Sequence, residues 1–218
     1  MIMPEPLPAD VTPLDQMSAV TALIAVGERF DRRGLAAATS GNHSVRLSDG
    51  SIAITRSGRH KGRLTPSDFM RVNAAGTAID EGRPSAETGL HLMLYRLFPA
   101  TGAVLHWHSP NAVGLSRAEP RAGRWAFEGQ EMLKAFPGIA THETRRSLPV
   151  VDNSQDMAVI AAAVAPALTE RDTLPVFMIR SHGLYAWGKD VEEAERIAEA
   201  IEWLIAADLA ERSFRMRI

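Results

Sequence analysis

Among its 218 residues the sequence holds no cysteine, which excludes disulfides and thiolate metal sites and agrees with a reducing compartment. Neither sign of charge is in excess. A formal net charge of −2 leaves no electrostatic footprint for nucleic acid or an anionic membrane. Long apolar runs are missing as well: the longest nearly continuous one, Ala158 to Leu168, is too short to span a bilayer. Met1 to Pro8 carries three prolines and no basic-then-apolar leader, so residues 1–10 read as a loose N-terminal tail ahead of a domain over 11–218. The expectation is a soluble, cytoplasmic protein without membrane or nucleic-acid partners.

What is present is the composition of an ordinary globular chain, 45% hydrophobic and 23% charged. With about 150 residues per domain as a soft prior, and no repeat, linker or composition shift, one domain is expected. Thr12-Pro13-Leu14-Asp15 reads as a helix start, and Leu14, Met17, Val20, Ile24 and Phe30 carry roughly helical spacing to Arg33. A polar loop Thr39 to Ser44 leads into a strand at Val45, Asp49-Gly50 marks a hairpin, and Ile52 to Thr55 is the second strand. Thr65 to Asp68 reads as a capped turn, and Arg71 to Ile79 as a strand and turn. Pro84 to Thr88 opens a second helix with Leu90, Met93, Leu94 and Leu97 as its buried stripe. Residues 117–138 read as loop with a short helix around Gln130 to Phe136. Asn153 to Asp156 caps an Ala/Val-rich helix, Pro175 to Ile179 is an apolar strand, and Asp190 with Glu193 caps the longest helix, to Leu209. Strands and helices without regular βαβ alternation predict an α/β domain with a central, mainly antiparallel sheet flanked by helices.

The chemistry concentrates in Gly102-Ala-Val-Leu-His-Trp-His-Ser-Pro110. Alternate strand residues share a face, so His106 and His108 leave one side while Leu105 and Trp107 pack on the other. Two imidazoles at that spacing can chelate a divalent ion, although an isolated H-x-H is more often a pair of ordinary polar-face histidines. His182, at the end of the strand before Gly183, would complete a three-histidine site with an open position, the catalytic pattern for zinc. His91 and His142 read as core or surface residues, whereas His43 and His60 lie in polar loops that could meet a ligand. Glu87 and Glu131 are the carboxylates placed to serve as a fourth ligand or as acid/base. The loops Thr39 to Asn42 and Ser57-Gly58, with Ser85 at a helix start, offer the hydroxyls and backbone N–H groups that suit phosphate, and Lys61 could add a positive charge.

Taken in order, S-G-N-x-S-V-R, I-T-x-S-G, P-S-A-E, V-L-H-W-H-S and H-G-L-Y-A-W-G resemble the class II aldolase/adducin family over about Leu14 to Leu209. The resemblance implies a homotetramer with sites near subunit interfaces, a divalent metal (usually zinc, one per subunit) on His106, His108 and His182, and phosphate held by Gly41, Asn42, Ser57, Gly58 and Ser85. Within the family, Glu128 to Lys134, Leu148 to Asp156 and His182 to Gly188 resemble the methylthioribulose-1-phosphate dehydratases of methionine salvage. That subgroup's acid/base glutamate matches Glu131. Glu87 matches the metal-binding acid/base of the sugar-phosphate aldolases. Their C-terminal tyrosine segment has no counterpart in Ser213 to Ile218, which speaks for a dehydratase. The implied reaction is loss of water from 5-methylthioribulose 1-phosphate, a phosphorylated ketose, giving a 2,3-diketone. The alternatives are a class II aldolase or 4-epimerase and, with the metal histidines against it, an adducin-like scaffold. An iron dioxygenase using H-x-H would want a glutamate four or five residues on, and the next carboxylate is Glu119.

Overall fold

Short apolar runs become strands and amphipathic stretches become helices in the computed structural model, which describes residues 16–216. The loose-tail reading of residues 1–10 and the Thr12 to Asp15 helix start lie outside the described residues. The elements are α1 (Gln16–Arg32), β1 (Asn42–Arg46), β2 (Ile52–Thr55), β3 (Phe69–Val72), α2 (Thr88–Leu97), β4 (Ala103–Trp107), α3 (Pro110–Ala118), β5 (Arg124–Glu128), β6 (Arg145–Val151), α4 (Met157–Leu168), β7 (Val176–Ile179), β8 (Gly183–Gly188) and α5 (Val191–Arg215). The strands form one eight-stranded sheet in the order β3-β2-β1-β4-β8-β7-β6-β5. Every neighbouring pair is antiparallel except β6 and β7. That parallel step is bridged by α4, as a parallel connection requires.

The sheet separates two apolar layers. On one face α1, α3 and α5 pack Leu23, Phe30, Leu115, Ile197 and Ile201 against Leu105, Trp107 and Leu184. On the other, α2 and α4 pack Leu90, Leu94, Ile160 and Val164 against Val104, Phe177 and Tyr185. Strand β4 lies in the middle, fully buried along its length and hydrogen-bonded to β1 and β8.

Several expectations need correcting. The strand and turn expected over Arg71 to Ile79 are present, but the strand starts earlier, at Phe69, and ends at Val72, where Asn73 accepts the N–H groups of Ala75 and Thr77 to close the turn. The stretch read as loop from Arg117 begins inside α3, whose start is announced by Ser109 accepting the Ala112 N–H and by Pro110 in the first turn. The same stretch holds β5, where Trp125 and Phe127 point inward and Arg124, Ala126 and Glu128 outward. The short helix expected near Gln130 is a 3₁₀ turn, Glu131–Ala135.

Candidate metal centre

His106 and His108 leave the α2 face of β4 together, and the turn joining β7 to β8 brings His182 against them. Donor atoms of the three imidazoles lie within 4.8 Å of one another. The opposite face of the same strand is pinned from behind: Trp107 Nε1–H and the Ser109 hydroxyl donate to the buried Glu202 carboxylate of α5, at 2.7 and 3.0 Å. Alternation along the strand thus gives its inward face to the core and its other face to chemistry.

The turn carrying His182 is set by an arginine. Arg180 donates to the carbonyls of Ser116, Glu119 and Ala122 at 3.3, 3.1 and 2.9 Å, and to Asp152 at 2.8 Å. It thereby caps the C-terminal end of α3, while the Ser181 N–H donates to Ser116 Oγ at 3.0 Å. Ser181, not the glycine, takes the left-handed conformation, with φ of 57°. Gly183 serves close approach, because a Cβ there would sit 2.3 Å from the Trp107 carbonyl oxygen. Arg180→Met removes the guanidinium donors from those carbonyls and is expected to destabilise the fold by about 1–3 kcal/mol, readable as a lower Tm in thermal unfolding.

The donor set fits a divalent transition ion. Burial pushes His106 well below the ordinary histidine range and His108 down to about 4, so both are neutral ligands at physiological pH. His106 Nδ1–H donates to the Leu184 carbonyl at 2.9 Å, which leaves the Nε2 lone pair facing His108 Nε2 at 3.2 Å. His106 thus aims a bare ring nitrogen into the cluster, and the buried Nδ1 of His182 has no partner. Glu87 completes the cluster, with Oε2 3.1 Å from His106 Nε2 and Oε1 3.1 Å from His182 Nε2. It occupies the position before α2 but makes no capping bond there. Burial raises its carboxyl, yet the facing His106 and the hydrogen bonds from His182 and Asn42 outweigh that and hold it below the usual range.

Beside the cluster opens a cavity of about 210 Å³ that gathers all six expected phosphate residues, Gly41, Asn42, Ser57, Gly58, Lys61 and Ser85, together with Glu87, His108 and His182. Two of them differ from expectation in what their side chains do. The Asn42 amide is committed to Glu87 and His91. The Lys61 ammonium donates to the carbonyls of Thr39 (2.6 Å) and Arg59, tying the two loops together, and burial lowers it to about 8. Ser40 Oγ is buried there without a partner, a hydroxyl left for a ligand. Arg56, not singled out from the sequence, also lines the cavity.

Glu131 is not among the residues lining that cavity. Its carboxylate is 70% exposed, 2.7 Å from Lys134 Nζ and 3.4 Å from His142 Nδ1, and the Lys134 hydrogen bond lowers its pKa. His43, expected to be available to a ligand, is fully buried on β1 with its ring edge-on to Phe30, and His60 accepts the Gly62 N–H in a 3₁₀ turn. His91, read as a filler, is bonded to Asn42 and Ser44 behind Glu87. Tyr185 was also missed: its ring stacks on His106 at 4.1 Å and its hydroxyl donates to Glu87 at 3.0 Å.

The comparisons agree with this architecture. Residues 21–209 match the family described as class II aldolase and adducin N-terminal domain. The chain is 50% identical over 200 residues to a methylthioribulose-1-phosphate dehydratase of Acidiphilium cryptum, covering 91% of this chain and 93% of that one. It is 50% identical over 182 residues to the protein of the same name from Methylococcus capsulatus, covering 84% and 88%. Among solved structures, the L-fuculose-1-phosphate aldolase of Thermus thermophilus superposes with a TM-score of 0.74 at 29% identity, covering 92% of this chain and 98% of that one. With a family match across most of its length, relatives at 50% identity and the fold to accompany them, the chain belongs to the class II aldolase and adducin family.

Proposed function

We propose that the chain dehydrates 5-methylthio-D-ribulose 1-phosphate to 5-methylthio-2,3-dioxopentyl phosphate, in the cytoplasm and within methionine salvage. The observation that carries the choice of reaction is the 50% identity over 200 residues to a methylthioribulose-1-phosphate dehydratase. His106, His108 and His182 hold one zinc per subunit, and the same imidazoles suit other divalent transition ions. The ion supplies a Lewis acid for the substrate ketone. Gly41, Ser57, Gly58 and Ser85 hold the phosphate, with the Ser40 hydroxyl and the Lys61 ammonium beside it. Glu131 takes the C3 proton and returns a proton to the departing C4 hydroxyl. Water leaves, the resulting enol ketonises at C3, and no carbon–carbon bond breaks.

Since Glu131 lies outside its own chain's cavity, it serves this role from a neighbouring subunit of a homotetramer whose sites lie near the subunit interfaces. Glu87 stays ionised against the imidazoles and orders them.

A second reading, a class II sugar-phosphate aldolase, draws on the likeness to the L-fuculose-1-phosphate aldolase structure. Incubating the purified, zinc-loaded protein with 5-methylthioribulose 1-phosphate separates the two. The expected product is the diketone, with turnover falling on the order of 10³-fold or more in His106→Ala. Release of dihydroxyacetone phosphate from a deoxy-sugar phosphate, with no diketone, would transfer the function to the aldolase.

A further inference from the structure

A buried chain of hydrogen bonds ends on Glu87, and each link fixes the direction of the next. Glu87 Oε2 accepts from Asn42 Nδ2 at 2.6 Å and from the Tyr185 hydroxyl at 3.0 Å. With its amide nitrogen spent, Asn42 turns Oδ1 toward His91 Nε2, which must therefore carry the proton. His91 then offers only a lone pair at Nδ1, and the Ser44 hydroxyl donates to it at 2.7 Å. Ser44, its own proton committed, accepts from the Tyr95 hydroxyl at 2.9 Å. Asn42, Ser44, His91 and Tyr95 are all buried, so water cannot replace a missing link. Running the chain backwards would flip the Asn42 amide and set its oxygen against the Glu87 carboxylate, two acceptors with no proton between them. Helix α2 supplies Glu87, His91 and Tyr95 from neighbouring turns, while β1 supplies Asn42 and Ser44 from alternate positions on one face.

We propose that His91 is a positioning residue: its Nε2–H sets the Asn42 amide, which with Tyr185 aims the Glu87 carboxylate at His106 and His182. The value of that aim rests on the reading that the three histidines hold a metal beside Glu87. His91 itself touches neither substrate nor ligand atoms, and works only through Asn42.

The tautomer can be read directly in the metal-free protein by nitrogen-15 NMR of histidine-labelled chain. His91 is expected to be protonated at Nε2 and bare at Nδ1; the opposite tautomer would overturn the proposal without touching the metal reading. Function is then compared in two variants. His91→Gln keeps an N–H donor in the place of Nε2, and His91→Leu removes it while filling the space. His91→Leu should lose about 10–100-fold in kcat and in affinity for Zn²⁺ against a competing chelator, with KM within roughly threefold. His91→Gln should recover to within about threefold of the parent on both. Equal losses in the two variants, or a loss confined to KM, would mean that His91 only fills space. If His91→Leu does not fold, the tautomer measured on the unaltered chain decides. Retention of Zn²⁺ by His106→Ala would instead sink the metal reading, whatever the tautomer of His91.

Discussion

Glutamine in place of Glu131 is expected to lower kcat by about 10²–10⁴-fold while leaving the zinc content unchanged, the signature of a lost general acid/base. The size of the effect follows from the proposed reaction, in which one carboxylate both removes the C3 proton and protonates the leaving hydroxyl. The hydrogen bond from Lys134 keeps that carboxylate ionised, the form a base needs. A second measurement addresses where Glu131 acts. Neither Glu131→Gln nor His106→Ala homotetramers should turn over at an appreciable rate, but tetramers assembled from a mixture of the two chains should recover a measurable fraction. Recovery requires a site built from the zinc ligands of one chain and the glutamate of another. If mixing restores nothing, Glu131 acts within its own chain. If Glu131→Gln turns over like the parent, the acid/base assignment moves to Glu87.

Gly183→Ala is the second substitution expected to silence the enzyme, through geometry instead of chemistry. A Cβ at position 183 would meet the Trp107 carbonyl oxygen at 2.3 Å, His106 Cε1 at 3.0 Å and His108 Cδ2 at 3.0 Å. The first contact is with backbone and cannot be relieved by a rotamer change, so β8 must move away from β4 at the Trp107–Leu184 register. Overpacking of this kind costs about 1–3 kcal/mol, or roughly 2–12 °C in Tm for a chain of this size. The ligands themselves are displaced, so affinity for zinc should fall by on the order of 100-fold and turnover with it. Gly58→Ala is the control: it lines the cavity beside the histidines with nothing within 4 Å of an added Cβ, although its φ of 74° makes alanine strained there. It should lose stability of about 1–2 kcal/mol and keep its zinc. Equal zinc loss in both variants would refute the close-approach argument.

The sequence was most legible where local chemistry dictates local structure. The Asp49-Gly50 hairpin, the Ile52 to Thr55 strand and the Asp190–Glu193 cap of α5 are consequences of neighbouring residues, and the structure has each of them. The H-x-H on alternate strand positions predicted which face would carry the imidazoles. Strand β5 was obscured because five residues with only Trp125 and Phe127 turned inward carry too little pattern to stand out from loop. α3 was passed over although Ser109-Pro110 marks its start; its apolar face is short and follows the metal strand without a break. Within the site, the clustering of the three histidines could be anticipated from the H-x-H and from the strand end at His182, but the partners behind them could not. Asn42, Ser44, His91, Tyr95 and Tyr185 come from three separate elements, β1, α2 and β8, and the pairing of β1 with β4 and β4 with β8 brings the strand residues to Glu87. His91 looked like a filler because its spacing on α2 is that of a buried residue; it is buried, and bonded.

The three imidazoles are not held with equal firmness. His106 and its strand neighbours are flanked on both sides by paired strands in the middle of the sheet, a location whose amides open to solvent only when the whole domain unfolds. His182 rides on a turn fastened to the end of α3 through Arg180 and Ser181. Local opening at the centre is therefore expected to be one-sided, with the turn of His182 parting before the strand of His106 does. With a metal held there as proposed, its capture and escape would follow the breathing of that one turn and not the lifetime of the folded state, so exchange would be expected without the chain coming apart.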